Sequence, residues 1–203
     1  MAVSRTRDWA RARRLLTAAP QRLQAAIGTA VRQEAHALRN DIVQGLTSQA
    51  PGGEPLKPPS PLTIAARQLE GFGGTKALIV RGDLRNSITV VKQGETVFVG
   101  VLRSAKAGGG QSLANVAAIH EFGSRPIVLK LTPKVRRFLH AAFRAAGLDA
   151  PAGDRPSTGI AVIKIPARPF LAPVFETFGK PADVSRRFLD RVAQNLGGDF
   201  GRT

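Results

Sequence analysis

Between Pro20 and Ser48 apolar residues return at Leu23, Ile27, Val31, Leu38, Ile42 and Leu46, with Ala30 and Ala35 filling the same stripe. That spacing is the 3.6-residue period of an amphipathic helix, and it is the firmest constraint in the chain. Pro20 suits a first helical turn, where its missing N–H is not needed, and Pro51-Gly52-Gly53 ends the pattern. The twelve residues from 50 to 61, APGGEPLKPPSP, hold five prolines and two glycines, so they predict an extended connector across the surface.

At 203 residues, 43% hydrophobic and 22% charged, the chain suits one globular domain with a real core. It divides into a basic arm over 1–19 and a single domain over 20–203. Residues 1–14 carry Arg5, Arg7, Arg11, Arg13 and Arg14 against Asp8, with Trp9 as their one large apolar anchor. Thirty Lys plus Arg against fourteen Asp plus Glu give a net charge of +16, which calls for a polyanion or an acidic protein surface as partner. Cysteine is absent, which excludes disulfides, thiolate metal sites and cysteine nucleophiles together. Three scattered histidines leave little for a metal cage, so no metal or cofactor is expected. The N-terminus has no apolar signal core and no long uncharged apolar run occurs, so a soluble, unprocessed protein with no membrane partner is expected.

Pro61-Leu62-Thr63 opens a short helical stretch that ends by Gly71-Phe72-Gly73-Gly74. Residues 87–92 and 96–101 are rich in β-branched residues around Gln93-Gly94, which predicts a β-hairpin. Residues 103–112 read as a mobile basic loop, and 113–122 as a helix stopped by Gly123. Ile127-Val128-Leu129 is a strand candidate. Thr132-Pro133 caps a helix to about residue 146, with Val135, Phe138, Leu139, Ala142 and Phe143 on one face. After a loop over 147–159, residues 160–165 form a second strong strand that stops at Pro166. The last stretch, 171–196, is helical with a break at Gly179-Lys180-Pro181. These elements predict an α+β fold. One mainly antiparallel sheet, made of the 87–101 hairpin with 160–165 and 126–130, packs against the long N-terminal helix and the C-terminal helices.

His120-Glu121 is the only adjacent acid–base pair, and general-base chemistry there would need a third group to orient the imidazole. No metalloprotease, nucleophile-elbow or P-loop spacing occurs, so no catalytic residue is assigned. The longest acid-free stretch, 122–148, holds Arg125, Lys130, Lys134, Arg136, Arg137 and Arg144. On the predicted helix Lys134, Arg137 and Arg144 share one face, which is either a solvated face or a contact for DNA backbone or an acidic neighbour. No helix-turn-helix spacing, zinc knuckle or aromatic stacking signature accompanies them.

Three stretches taken in order resemble the tail-completion proteins of tailed bacteriophages, also called phage virion morphogenesis proteins. They are Pro61-Leu62-Thr63 leading to Gly82-Asp83-Leu84-Arg85-Asn86-Ser87-Ile88, then Ala118-Ile119-His120-Glu121-Phe122-Gly123, then Ile165-Pro166-Ala167-Arg168-Pro169-Phe170-Leu171. The resemblance implies a virion structural subunit without enzyme activity. It implies a homo-oligomeric, hexameric ring that completes the tail and joins it to the head. Its partners would be other neck, tail-terminator or tail-tube proteins, with non-specific contact to DNA in the lumen, and it would sit in the virion after assembly in the host cytoplasm. The sequence departs from the family pattern in its basic arm and in a basic helical insertion over 124–164. On residue chemistry alone the rival reading is a basic, non-specific nucleic-acid-binding protein.

Within the motifs, Pro166 and Pro169 fix φ and remove donors, so they stop the strand and aim Phe170 and Leu171 inward. Arg168, held between the two prolines, suits a carboxylate or a backbone carbonyl. The expectation is that the His120-Glu121-Phe122-Gly123 box and the Pro166 to Phe170 box meet in space, with a Glu121–Arg168 link within the subunit or to a neighbour. The connectors at 50–61 and 103–112 are natural material for reaching a neighbour.

Overall fold

The computed structural model describes residues 8–94, 96–149 and 159–200. The first helix, α1 (Asp8–Ser48), begins well before Pro20 and carries that proline in its interior. Residues 8–19 are rich in Ala, Arg and Leu, all strong helix formers, so the helix propagates ahead of the proline rather than starting at it. Pro20 is exposed, and water can serve the carbonyl that loses its donor. The separate arm is therefore replaced by helix from Asp8 onward. Arg5 and Arg7 lie outside the described residues, as does the side chain of Arg11, while Arg13 and Arg14 are exposed on α1.

The apolar stripe of α1 is used in two ways. Its C-terminal half supplies Ile42 and Leu46 to the main core, where they meet Leu84, Ile88, Ala117, Phe170 and Val174. Its N-terminal half buries Ala26 and Ala30 against Val192, with Phe188 and Leu196 alongside, on α7 (Pro181–Phe200). Alanine lets the two helix backbones approach closely, so the larger Leu23 and Ile27 are turned out to solvent. Glu34 closes the same seam by accepting from both Arg187 and Arg191, which lie one turn apart on α7.

A 3-10 turn at Pro51–Gly53 folds back on α1, followed by an extended run to α2 (Pro61–Leu69), whose N-cap Ser60 accepts from the Thr63 N–H. A short helix, α3 (Asp83–Asn86), follows Gly82 and delivers Leu84 and Ile88 to the core. Strands β1 (Ile88–Gln93) and β2 (Thr96–Val101) form the expected antiparallel hairpin, which packs on α1. Residues 103–112, expected as a mobile loop, form a hydrogen-bonded turn in which Lys106 bridges Ser112 and the Ala107 N–H donates to Gln111.

Helix α4 (Leu113–Phe122) is followed by β3 (Ile127–Lys130), α5 (Pro133–Ala145) and β4 (Ile160–Ile163). Strand β3 pairs antiparallel with β4, with Val128 opposite Val162 and Lys130 opposite Ile160. The two strand pairs do not join, so the single sheet expected from sequence is two separate two-stranded ribbons. The chain leaves β2 through the 103–112 turn and α4, and each short strand then satisfies its ladder with the partner nearest to it in the local fold. Helix α5 packs on α2 instead of covering the β3–β4 ribbon. Of the expected 147–159 loop, residues 150–158 lie outside the described residues. The chain ends in α6 (Ala172–Phe178) and α7, divided at the anticipated Gly179-Lys180-Pro181. The fold is α+β, with a long N-terminal helix and C-terminal helices as expected.

Candidate functional site: the junction of the three motifs

Helix α4 is set by two local signals. Ser112 accepts from the Asn115 N–H at its start, and Gly123 ends it with φ 82, a conformation that glycine reaches without strain. A β-carbon on Gly123 would also stand 3.3 Å from the Ala167 nitrogen, so the glycine lets the two boxes lie side by side. Two main-chain hydrogen bonds and one to a serine hydroxyl fix them there. The Ser124 N–H donates to the Ile165 carbonyl at 2.9 Å, the Ile165 N–H donates to Ser124 Oγ at 2.8 Å, and the Arg168 N–H donates to the His120 carbonyl at 2.6 Å.

Glu121 completes the junction. Its carboxylate accepts the N–H groups of Phe170 at 2.9 Å, Leu171 at 3.1 Å and Ala172 at 2.9 Å. These donors stand at the N-terminus of α6, where a helix leaves N–H groups without internal partners and favours negative charge. Pro173, next in the chain, has no N–H to satisfy. Glu121 is thus a helix cap supplied from another part of the chain.

The boxes meet as expected, but the Glu121–Arg168 ion pair does not form. Arg168 Nε donates to the Lys57 carbonyl at 2.7 Å and Nη2 to the Pro58 carbonyl at 3.2 Å. The guanidinium fork therefore ties the proline-rich connector to its own domain. A carboxylate already holding three main-chain donors is better satisfied than it would be on one exposed arginine.

Phe170 is fully buried with Leu84 and Ile88, so the first and third motif stretches feed one core, and Ala117, just before the second, joins them. Pro166 and Pro169 are exposed at the corner, and Phe122 points outward at 83% exposure. His120 is half-buried, and its Nδ1 is shut off from solvent with no hydrogen-bond partner among the described residues. Burial first, then the positive charges of Arg168 and Arg67, hold its pKa below the ordinary histidine value. Among the described residues no hydrogen bond joins His120 to Glu121.

Lys134, Arg137 and Arg144 are exposed on α5, and none of them enters an ion pair among the described residues. Reading the sequence missed Gln49, whose amide accepts from the Ala77 N–H and donates to the Ala77 carbonyl, fastening the end of α1 to the 70–82 segment. It also missed Glu34. A lone acid beside an apolar helix stripe, with Arg187 and Arg191 four residues apart elsewhere, was the available signal.

No helix among the described residues is long and apolar enough to cross a membrane. No curated protein and no solved structure matches the chain. The sequence model of the phage virion morphogenesis family matches residues 7–197, a span that takes in α1, all three motif stretches, the β3–β4 ribbon and most of α7. The chain belongs to the phage virion morphogenesis family, and its role lies in assembly of the phage virion.

Proposed function

We propose that this protein is a structural subunit of a ring in the neck or tail of a tailed phage, completing the tail and joining it to the head. The observation that carries this reading is the β3–β4 ribbon. Val128, Ile160 and Val162 lie on one of its faces and are 59%, 63% and 61% exposed. On the other face Ile127, Leu129 and Ile163 are also exposed. A two-stranded ribbon that is apolar on both sides, with both edges open, is marginal alone and needs a covering layer.

A ring is built from head-to-tail contacts, which require two different complementary surfaces on each subunit. The second is offered by α1, where Leu16, Leu23 and Ile27 are exposed along one helical stripe. The ribbon of one subunit on the α1 stripe of the next covers both. Replacing Val162 with aspartate should leave a folded monomer and abolish infectious particles in a complementation assay. Normal particle yields from that variant would remove the ribbon from the account.

A second reading is favoured by the basic face of α5, where Lys134, Arg137 and Arg144 are exposed and enter no ion pair among the described residues. That face suits contact with DNA backbone, with affinity that falls steeply as salt rises. Changing all three to glutamine should flatten the salt slope of DNA binding by the free subunit. An unchanged slope would make the face a solvated one.

A further inference from the structure

A cavity of about 260 Å³ opens between α2, α3 and α4, beside the His120 end of the motif junction. Its walls are apolar at Phe72, Leu78, Leu84 and Val116, and its polar side chains are Arg67, Arg81, Asp83, Gln111 and His120. Arg67 reaches it from α2, donates to the Lys76 carbonyl at 2.9 Å, and forms no ion pair among the described residues. Arg81 stacks over the Phe72 ring at 5.5 Å and meets Asp83, the one acid of the lining, at 3.4 Å. Arg168 adds repulsion to both Arg67 and His120. Leu78 is held in the left-handed region at φ 59, a strained conformation for a leucine, while its side chain lines the cavity and packs on the core.

We propose that this cavity binds an acidic peptide segment of a partner protein, taking one carboxylate on Arg67 and Arg81 and a neighbouring apolar side chain against Phe72, Leu78 and Val116. Charge complementarity chooses the occupant. Arg67, partly buried and repelled by Arg168, pairs with no carboxylate among the described residues, and a partner's carboxylate supplies both charge and acceptors. The volume admits one or two side chains and not a folded element. Apolar walls around the cations suit a side chain better than a phosphodiester, which keeps its charge surrounded by water. The site needs only the single subunit, so it stands or falls independently of ring formation.

The test uses the full chain and a fluorescent probe peptide, acetyl-Ala-Leu-Glu-Leu-Ala-amide, with the glutamine analogue as control and a short single-stranded DNA as competitor. Saturable binding is expected. It should weaken about tenfold or more for the glutamine peptide, and likewise for Arg67→Gln. Arg81→Gln, at an exposed position, repeats the test if Arg67→Gln folds poorly by circular dichroism. Arg137→Gln on α5 should leave binding unchanged. Equal binding of the two peptides, no effect of either cavity variant, or an equal effect of Arg137→Gln would overturn the proposal. Displacement by DNA that is itself sensitive to Arg67→Gln would assign the cavity to phosphate instead.

Discussion

The carboxylate of Glu121 caps helix α6 from fifty residues away in the chain, accepting the N–H of Leu171 at 3.1 Å and those of its two neighbours. This joins the second motif to the third through a contact that only an acceptor of two or more hydrogen bonds can make. Glu121→Ala should destabilise the fold by about 3 kcal/mol, and Glu121→Gln, which keeps one carbonyl oxygen, by about 1 to 2 kcal/mol. Urea unfolding measures both. An alanine variant as stable as the wild type would show that the cap is incidental.

Arg168 holds two carbonyls of the proline-rich connector with one fork. Lysine offers a point charge without that fork, so Arg168→Lys should cost about 1 kcal/mol and speed proteolysis between residues 50 and 61. Equal cleavage rates in the two proteins would contradict the clamp.

At Gly52, φ is 63 and an added β-carbon would stand 2.4 Å from the Pro173 carbonyl oxygen. Gly52→Ala combines left-handed strain with a main-chain collision and should lose more than about 2 kcal/mol. Gly53, also at positive φ but with open space around it, should tolerate alanine better. Equal losses at the two sites would mean that strain alone matters.

The junction also sets a pH dependence. Burial, Arg168 and Arg67 lower the pKa of His120 in the folded state, with Arg81 and Asp83 lining the same cavity. The unfolded chain then binds the proton more readily, so this stability is present above about pH 6.5 and is lost as pH falls toward the lowered folded value. Between about pH 7.5 and 5.5 the wild type should lose more stability than His120→Gln. Parallel losses would place the effect elsewhere.

What could be read from the sequence followed how local its cause was. Helix α4 was legible because its apolar residues fall on a helical spacing and Gly123 marks its end, and α5 because Thr132 accepts from the Val135 N–H beside a proline. The interior position of Pro20 was not, because its penalty is offset by helix formers ahead of it and by packing of α7 farther along. The split of the strands into two ribbons depends on non-local pairing that short apolar runs do not encode. That the boxes meet was legible, but the partners of Glu121 and Arg168 were not. Both side chains bind main-chain groups, which every residue carries and no motif distinguishes.

The central claim is the proposed head-to-tail assembly through the β3–β4 ribbon and the α1 stripe, and native mass spectrometry of the full chain mixed with a tail-tube protein tests it most directly. The wild type should give a closed ring of one copy number. Val162→Asp and Leu23→Asp should each prevent ring formation, and a mixture of the two should give only a one-to-one pair, because one sound interface survives between them. Rings formed by both single variants as by the wild type, or a wild type that stays monomeric with the tail-tube protein present, would contradict the account.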